Sequence, residues 1–257
     1  MRNIFTSKVL ATALLATTAL AATSASAEML NITHTYTIGD HTFEGYVATN
    51  SALEETKGTV LIVHDWDGLT QYEMRRAEML AALGYTAFAI DVYSTQVNPQ
   101  GFEEYRAASG AMYADRATFQ ERLLGAIDEV ANIPGGTDNI IMIGYCFGGA
   151  AVLEAARAGA DIDGFVAFHA GLGTPEGQTW DAVSAPIQFH HGSADPVSGL
   201  ADLAQTLNEL EAAGVEHSAG IYGGARHSFT VFNSSDYLLD ADQASWSGLQ
   251  TFLAETL

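Results

Sequence analysis

The chain is 257 residues long, 48% hydrophobic and only 16% charged, with 31 acidic residues against 10 basic ones and a formal charge of −21. Length and apolar content suit one large folded domain and exclude a disordered chain. The acidic excess excludes nucleic acid as a partner, because holding phosphates takes a surplus of Lys and Arg.

In chain order, residues 1–27 read first as an export signal. Arg2 and Lys8 give a positive start, Val9 to Ala22 an apolar core, and Ala25-Ser26-Ala27 a small-residue cleavage site before Glu28. The core is short for a membrane span and carries several threonines, so cleavage is expected. It would remove Arg2 and Lys8 and no acid, leaving the mature chain more acidic still. Residues 28–257 are expected as one soluble domain, secreted or periplasmic, with no membrane contact after cleavage. The oligomeric state is left open, with a monomer favoured.

From Ile32 to Val47 two β-rich runs flank Gly39-Asp40, which predicts a hairpin. Thr59–Val63 is a wholly apolar strand followed by the polar cluster His64-Asp65-Trp66-Asp67-Gly68. Tyr72 to Leu83 has helical spacing and stops at Gly84; the next strand, Tyr85–Ile90, ends in Asp91-Val92-Tyr93. Asp115 to Val130 is a second helical stretch, ahead of Pro134-Gly135-Gly136 and the apolar run Asn139–Ile143. Strands over Gly164–Phe168, Ile187–Phe189 and Ser218–Tyr222 follow, with helices over Leu200–Ala213 and near Gln243–Leu253. Apolar strands alternating with amphipathic helices predict an α/β protein, a mostly parallel central sheet with helices on both faces.

Three motifs carry chemistry. Gly144-Tyr145-Cys146-Phe147-Gly148-Gly149 follows a strand and opens a helix, the setting of a nucleophile elbow with cysteine as the nucleophile. Cys146 is also the only cysteine, so it forms no internal disulfide and is either buried or kept for its reactivity. His191-Gly192-Ser193-Ala194-Asp195 and Gly224-Ala225-Arg226-His227 each follow a strand as well. Nucleophile, acid and histidine in that chain order match the α/β-hydrolase arrangement, built at the C-terminal edge of a parallel sheet. A free thiol is mostly protonated at neutral pH; His227 can take the proton while Asp195 orients the imidazole. The backbone N–H groups of Phe147 and Trp66 are the expected oxyanion donors.

These motifs resemble the dienelactone hydrolase family, with a match running roughly from Thr35 to Leu253. The resemblance implies an α/β-hydrolase with a Cys-Asp-His triad that cleaves lactones or esters through a covalent acyl-enzyme. In that family a glutamate after an early strand controls the resting thiol, and the matching position here is Asp65. Family members hold a substrate carboxylate with arginines, one of them four residues beyond the histidine. Here that residue is Val231, and Arg106 only lies in the region of the other, which points to a less anionic substrate. Trp66, Tyr93, Tyr145 and Phe147 are candidates for an apolar acyl pocket, with Tyr93, Tyr145 and His169 expected at the substrate. His64, His169 and His190 near strand ends show no metal-ligand spacing, so neither metal nor cofactor is expected. An acyltransferase or thioesterase on the same thiolate, and a non-catalytic binder with a hydrolase fold, are the competing readings.

Overall fold

The computed structural model describes residues 28–257. Residues 1–27, expected as the export signal, lie outside the described residues. Strands β1 (Met29–Ile38) and β2 (His41–Asn50) form the hairpin predicted around Gly39, paired along their whole length from Met29 opposite Asn50 to Ile38 opposite His41. Gly39 takes a φ of +56° at the turn, a left-handed conformation that suits glycine.

From there strands and helices alternate. Strand β3 (Thr59–Val63) leads to helix α1 (Gln71–Ala82), and β4 (Thr86–Ile90) to helices α2 (Phe102–Ala114) and α3 (Arg116–Asp128). Next come β5 (Ile140–Tyr145), α4 (Phe147–Arg157), β6 (Gly164–Phe168) and β7 (Ile187–Gly192). Helix α5 (Leu200–Ala213), β8 (His217–Tyr222) and α6 (Leu239–Thr256) complete the chain. The eight strands form one sheet in the order β1-β2-β4-β3-β5-β6-β7-β8. β1, β2 and β4 pair antiparallel in succession, and every pairing from β4 to β8 is parallel.

Strands buried on both faces explain the continuous apolar runs in the sequence. Leu61, Phe88 and Met142 face one side, where Phe119 and Leu123 of α3, Val152 of α4 and Leu203 of α5 cover them. Their neighbours Ile62, Ala89 and Ile143 face the other side, under Leu80 of α1 and Leu249 and Leu253 of α6. Each of these Leu, Ile, Val, Phe and Met side chains contributes about 1.5–3 kcal/mol by leaving water, so the alternation fixes the strand faces and the register. This is the predicted mostly parallel sheet with helices on both faces. The parallel strands end at one edge, and the loops leaving that edge carry His64, Asp91, Cys146, His169, Asp195 and His227.

Two elements differ from the sequence reading. Helix α6 starts at Leu239, four residues ahead of the predicted Gln243. Helix α2 is a finding of the structure: it buries only Ala108, Ser109 and Met112, too few positions for an apolar stripe to stand out in the sequence.

Candidate active site

Cys146 stands between β5 and α4 with a φ of +53° and a ψ of −110°, a conformation costing a non-glycine residue about 1–3 kcal/mol. The glycines around it are required by contact. A Cβ on Gly144 would meet the Gly148 carbonyl, and one on Gly148 would meet the carbonyls of Val63 and His64. The Cys146 N–H donates both to the Phe168 carbonyl (3.0 Å) and to His169 Nδ1 (3.1 Å), which holds the strained turn from beneath.

The structure brings Cys146, His227 and Asp195 together. Cys146 Sγ lies 3.0 Å from His227 Nε2, and His227 Nδ1 lies 2.8 Å from Asp195 Oδ2. With Asp195 accepting at Nδ1, the neutral ring carries its proton there and leaves Nε2 free to accept from the thiol. Asp195 also accepts from the N–H groups of Val197 (2.8 Å) and Ser198 (3.2 Å). Burial works to raise this carboxyl, but the bond from His227 and these N–H groups outweigh it and hold it below its ordinary range.

Burial pushes the Cys146 thiol up, and the charge of Asp65 adds to the rise; the Phe147 N–H, facing the sulfur, works the other way. Burial and the Asp65 charge both favour the thiol over the thiolate. Asp65 is itself raised well above the carboxylate range by burial and by the neighbouring Asp67 and Glu73. Glu73, fully buried, is pushed up to about 7 by desolvation. It caps α1, accepting from Thr70 N at 2.9 Å, and reaches the Asp65 N–H at 3.3 Å. Glu73 belongs to none of the three chemical motifs, although Thr70-x-x-Glu73 is the signature of a capping box.

A cavity of about 170 Å³ opens at the sulfur, lined by Trp66, Ser109, Tyr113, Cys146, Phe147, Gly171, Val197 and His227. Trp66 and Phe147, expected as oxyanion donors and at an apolar acyl pocket, both line this cavity with Cys146. Ser109 and Tyr113 come from α2, which no motif signals. Phe102 and Tyr105 of the same helix pack on the Trp66 ring at 5.3 and 5.6 Å between ring centroids. A larger cavity, about 500 Å³, lies beyond Asp67 and Tyr93 and reaches neither Cys146 nor His227; of the two, only the smaller opens at the sulfur.

Tyr93, Tyr145 and His169, expected at the substrate, do not line the cavity at the sulfur. Tyr93 is buried, with its hydroxyl donating to the Trp66 carbonyl at 2.9 Å. Tyr145 points to the α1 and α6 side, because alternation along β5 sends it away from the cavity, and its ring stacks on Phe168 at 4.7 Å. His169 is completely buried: Nδ1 accepts from Cys146 N, so Nε2 carries the proton and donates to Thr230 Oγ1 at 2.8 Å. Burial first, and His227 second, hold it well below the usual imidazole range, hence neutral. Arg106 is exposed on α2, and Val231 packs on the α1 and α6 side. Among the described residues no group of three or more His, Cys, Asp or Glu could hold a metal ion, and no helix is long and apolar enough to cross a membrane.

The model of the dienelactone hydrolase family matches residues 43–257. A probable 2-oxo-3-(5-oxofuran-2-ylidene)propanoate lactonase of Bradyrhizobium sp. is 24% identical over 207 residues, which cover 76% of this chain and 82% of the lactonase. Among solved structures, m3DLH is 27% identical with a TM-score of 0.82 over 89% of this chain and 99% of its own. A dienelactone hydrolase-like promiscuous phosphotriesterase from metagenomic libraries is 26% identical with a TM-score of 0.83, over 90% of this chain and 99% of its own. With its sheet order, its elbow and the family match over most of its length, the chain has the α/β-hydrolase fold and belongs to the dienelactone hydrolase family of ester and lactone hydrolases.

Proposed function

We propose that the chain hydrolyses a small, uncharged ester or lactone through a covalent acyl-enzyme on Cys146. The observation that carries this reading is the unbroken line from Cys146 Sγ through His227 to Asp195, at 3.0 and 2.8 Å. The thiol proton passes to His227 Nε2 as the sulfur bonds to the carbonyl carbon, and the carbonyl electron pair moves onto oxygen. The N–H groups of Phe147 and Trp66 receive that oxyanion. On collapse the C–O bond breaks and the leaving oxygen takes the proton from His227. Water, deprotonated by the same imidazole, then attacks the thioester and returns the thiol and a free acid.

An uncharged substrate follows from the cavity walls, which hold aromatic and aliphatic side chains and no Lys or Arg. The α2 helix and Val197 leave room for a small acyl group against Trp66 and Tyr113. A pure binder would gain nothing from an aligned cysteine, histidine and aspartate.

The test is hydrolysis of short p-nitrophenyl esters and simple lactones by the wild type and Cys146→Ala. We expect the variant to lose at least about a thousandfold in kcat while keeping its circular dichroism spectrum. Full turnover by the variant would overturn the mechanism. We also propose that residues 1–27 direct export. Protein recovered from cell fractionation should then begin at Glu28, and a mature form that retains Met1 would refute this.

A further inference from the structure

His64, in the loop after β3, has no place in the chemistry so far, yet it is wholly buried, 0% exposed. Its two ring nitrogens are both engaged. Nε2 lies 3.1 Å from the backbone N–H of Val92, a group that can only donate, so Nε2 must accept. Nδ1 therefore carries the ring proton, and it stands 2.6 Å from the carbonyl of Asp65, to which it donates. The tautomer is thus fixed by the neighbours, and desolvation, the largest influence on the ring, favours the neutral form this needs. Phe147 stacks on the imidazole at 5.9 Å and Tyr93 meets it at 4.7 Å, so the ring cannot swing.

The consequence lies on the other side of the Asp65 carbonyl. In a planar trans peptide the carbonyl of one residue and the N–H of the next point in opposite directions. Clamping the Asp65 carbonyl therefore aims the Trp66 N–H. That N–H has no acceptor among the described residues, and Trp66 lines the cavity at Cys146. The neighbouring groups are held too: the Asp65 N–H by Glu73 Oε1 at 3.3 Å, and the Trp66 carbonyl by the Tyr93 hydroxyl at 2.9 Å. Gly68 N adds only a long bond to the Asp65 carbonyl, 3.3 Å, so His64 is its principal partner.

We infer that His64 is a positioning residue for the oxyanion hole, its Nδ1–H setting the Asp65–Trp66 peptide plane so that the Trp66 N–H faces the developing oxyanion. The inference rests on the acyl-enzyme reading above and adds to it a residue that touches neither substrate nor nucleophile. Preorganised donors matter because they need no reorientation as charge develops. A histidine at this point supplies a donor and an acceptor in one rigid ring, which no aliphatic residue could do.

The test separates the two ring nitrogens. In His64→Asn the side-chain amide nitrogen stands where Nδ1 was and keeps the donor to Asp65. In His64→Gln the amide oxygen stands where Nε2 was and keeps the acceptor for Val92, while the donor to Asp65 is lost. The rate of the p-nitrophenolate burst from p-nitrophenyl acetate reports acylation, which passes through an oxyanion. Alkylation of Cys146 by iodoacetamide reports the thiol alone, since no oxyanion forms. We expect His64→Gln to slow the burst about 10- to 100-fold, short of the full loss of a donor, with alkylation within about twofold of wild type. His64→Asn should recover most of the burst rate.

Equal burst losses in both variants would overturn the inference, as would burst and alkylation falling together, or no loss in His64→Gln. A burst that survives in Cys146→Ala, or one absent from the wild type, would instead overturn the acyl-enzyme reading itself. Thermal midpoints of both variants, taken alongside, show how far each remains folded; if His64→Gln does not fold, a normal burst in His64→Asn supports the inference and a burst lost there overturns it.

Discussion

Cys146 is held in a backbone conformation that a cysteine avoids and in a buried setting that favours its thiol over the thiolate, and its neighbours impose both. The backbone strain is over-determined by the two acceptors on its N–H and by glycines that let α4 start immediately. The raised thiol follows from burial first and from the Asp65 charge second. Removing that charge should favour the thiolate. In Asp65→Asn the thiol midpoint should fall by about one unit, giving about tenfold faster iodoacetamide labelling at a fixed pH below the midpoint. The sign runs one way only: less negative charge beside sulfur means a lower pKa and more thiolate at a given pH. The gain should be greatest in alkali, because Asp65 is itself raised and carries its charge only as pH climbs. Labelling that is unchanged or slower across pH 6 to 10 would show that Asp65 does not govern the thiol. Keeping the thiol protonated at rest also limits its oxidation, since the thiolate is the form that oxidises.

Among the elements, those that bury a continuous apolar stripe could be read from the sequence. Strands β3 and β6 lie where their runs of β-branched and aromatic residues predict, because both faces of each are covered and no other conformation hides so many side chains. The elbow motif was legible for a related reason: Gly144 and Gly148 answer to backbone contacts one residue type can tolerate. Helix α2 was not legible. It lies over the cavity with most of its length in water, so its sequence Phe102–Ala114 carries no strong periodicity, yet it supplies Ser109 and Tyr113 to the site. Tyr145 and His169 misled for the converse reason. Standing beside strand ends places a residue near the site but does not say which way its side chain turns, and here alternation and a φ of +37° at His169 turn both inward. The buried polar chain behind the site was equally hidden. His169, Thr230, Tyr72, Arg76 and Asp242 are linked by bonds of 2.5–3.2 Å but come from four separate stretches of chain. Only the folded sheet brings them together.

Over the whole molecule, the scarcity of positive charge sets what can approach the site. The chain carries a formal −21 with 10 basic residues, and its arginines are largely spent on the fold. Arg76 pairs with Asp242 at 2.5 Å inside a set of aromatic rings, and Arg116 and Arg157 share Glu154 at 2.8 and 3.1 Å. Arg122 donates to the carbonyls of Val92 and Tyr93, and Arg226, next to His227, is tied to Asp236 at 2.9 Å. Among the described residues no Lys or Arg lines the cavity at Cys146, and the net negative charge of the whole protein opposes the approach of an anion. The consequence is an asymmetric response to salt. A neutral ester such as p-nitrophenyl butyrate should show kcat/KM constant within about twofold between 10 mM and 0.5 M salt. The anionic p-nitrophenyl hemisuccinate should start far lower and gain several-fold, because the screening length shrinks from about 30 Å at the lower salt to a few ångströms. The gain should lie in KM, since repulsion opposes encounter more than it alters the chemistry at Cys146. An anionic ester turned over as fast as the neutral one at low salt would mean that a cationic subsite forms on binding, and the uncharged-substrate reading would fall.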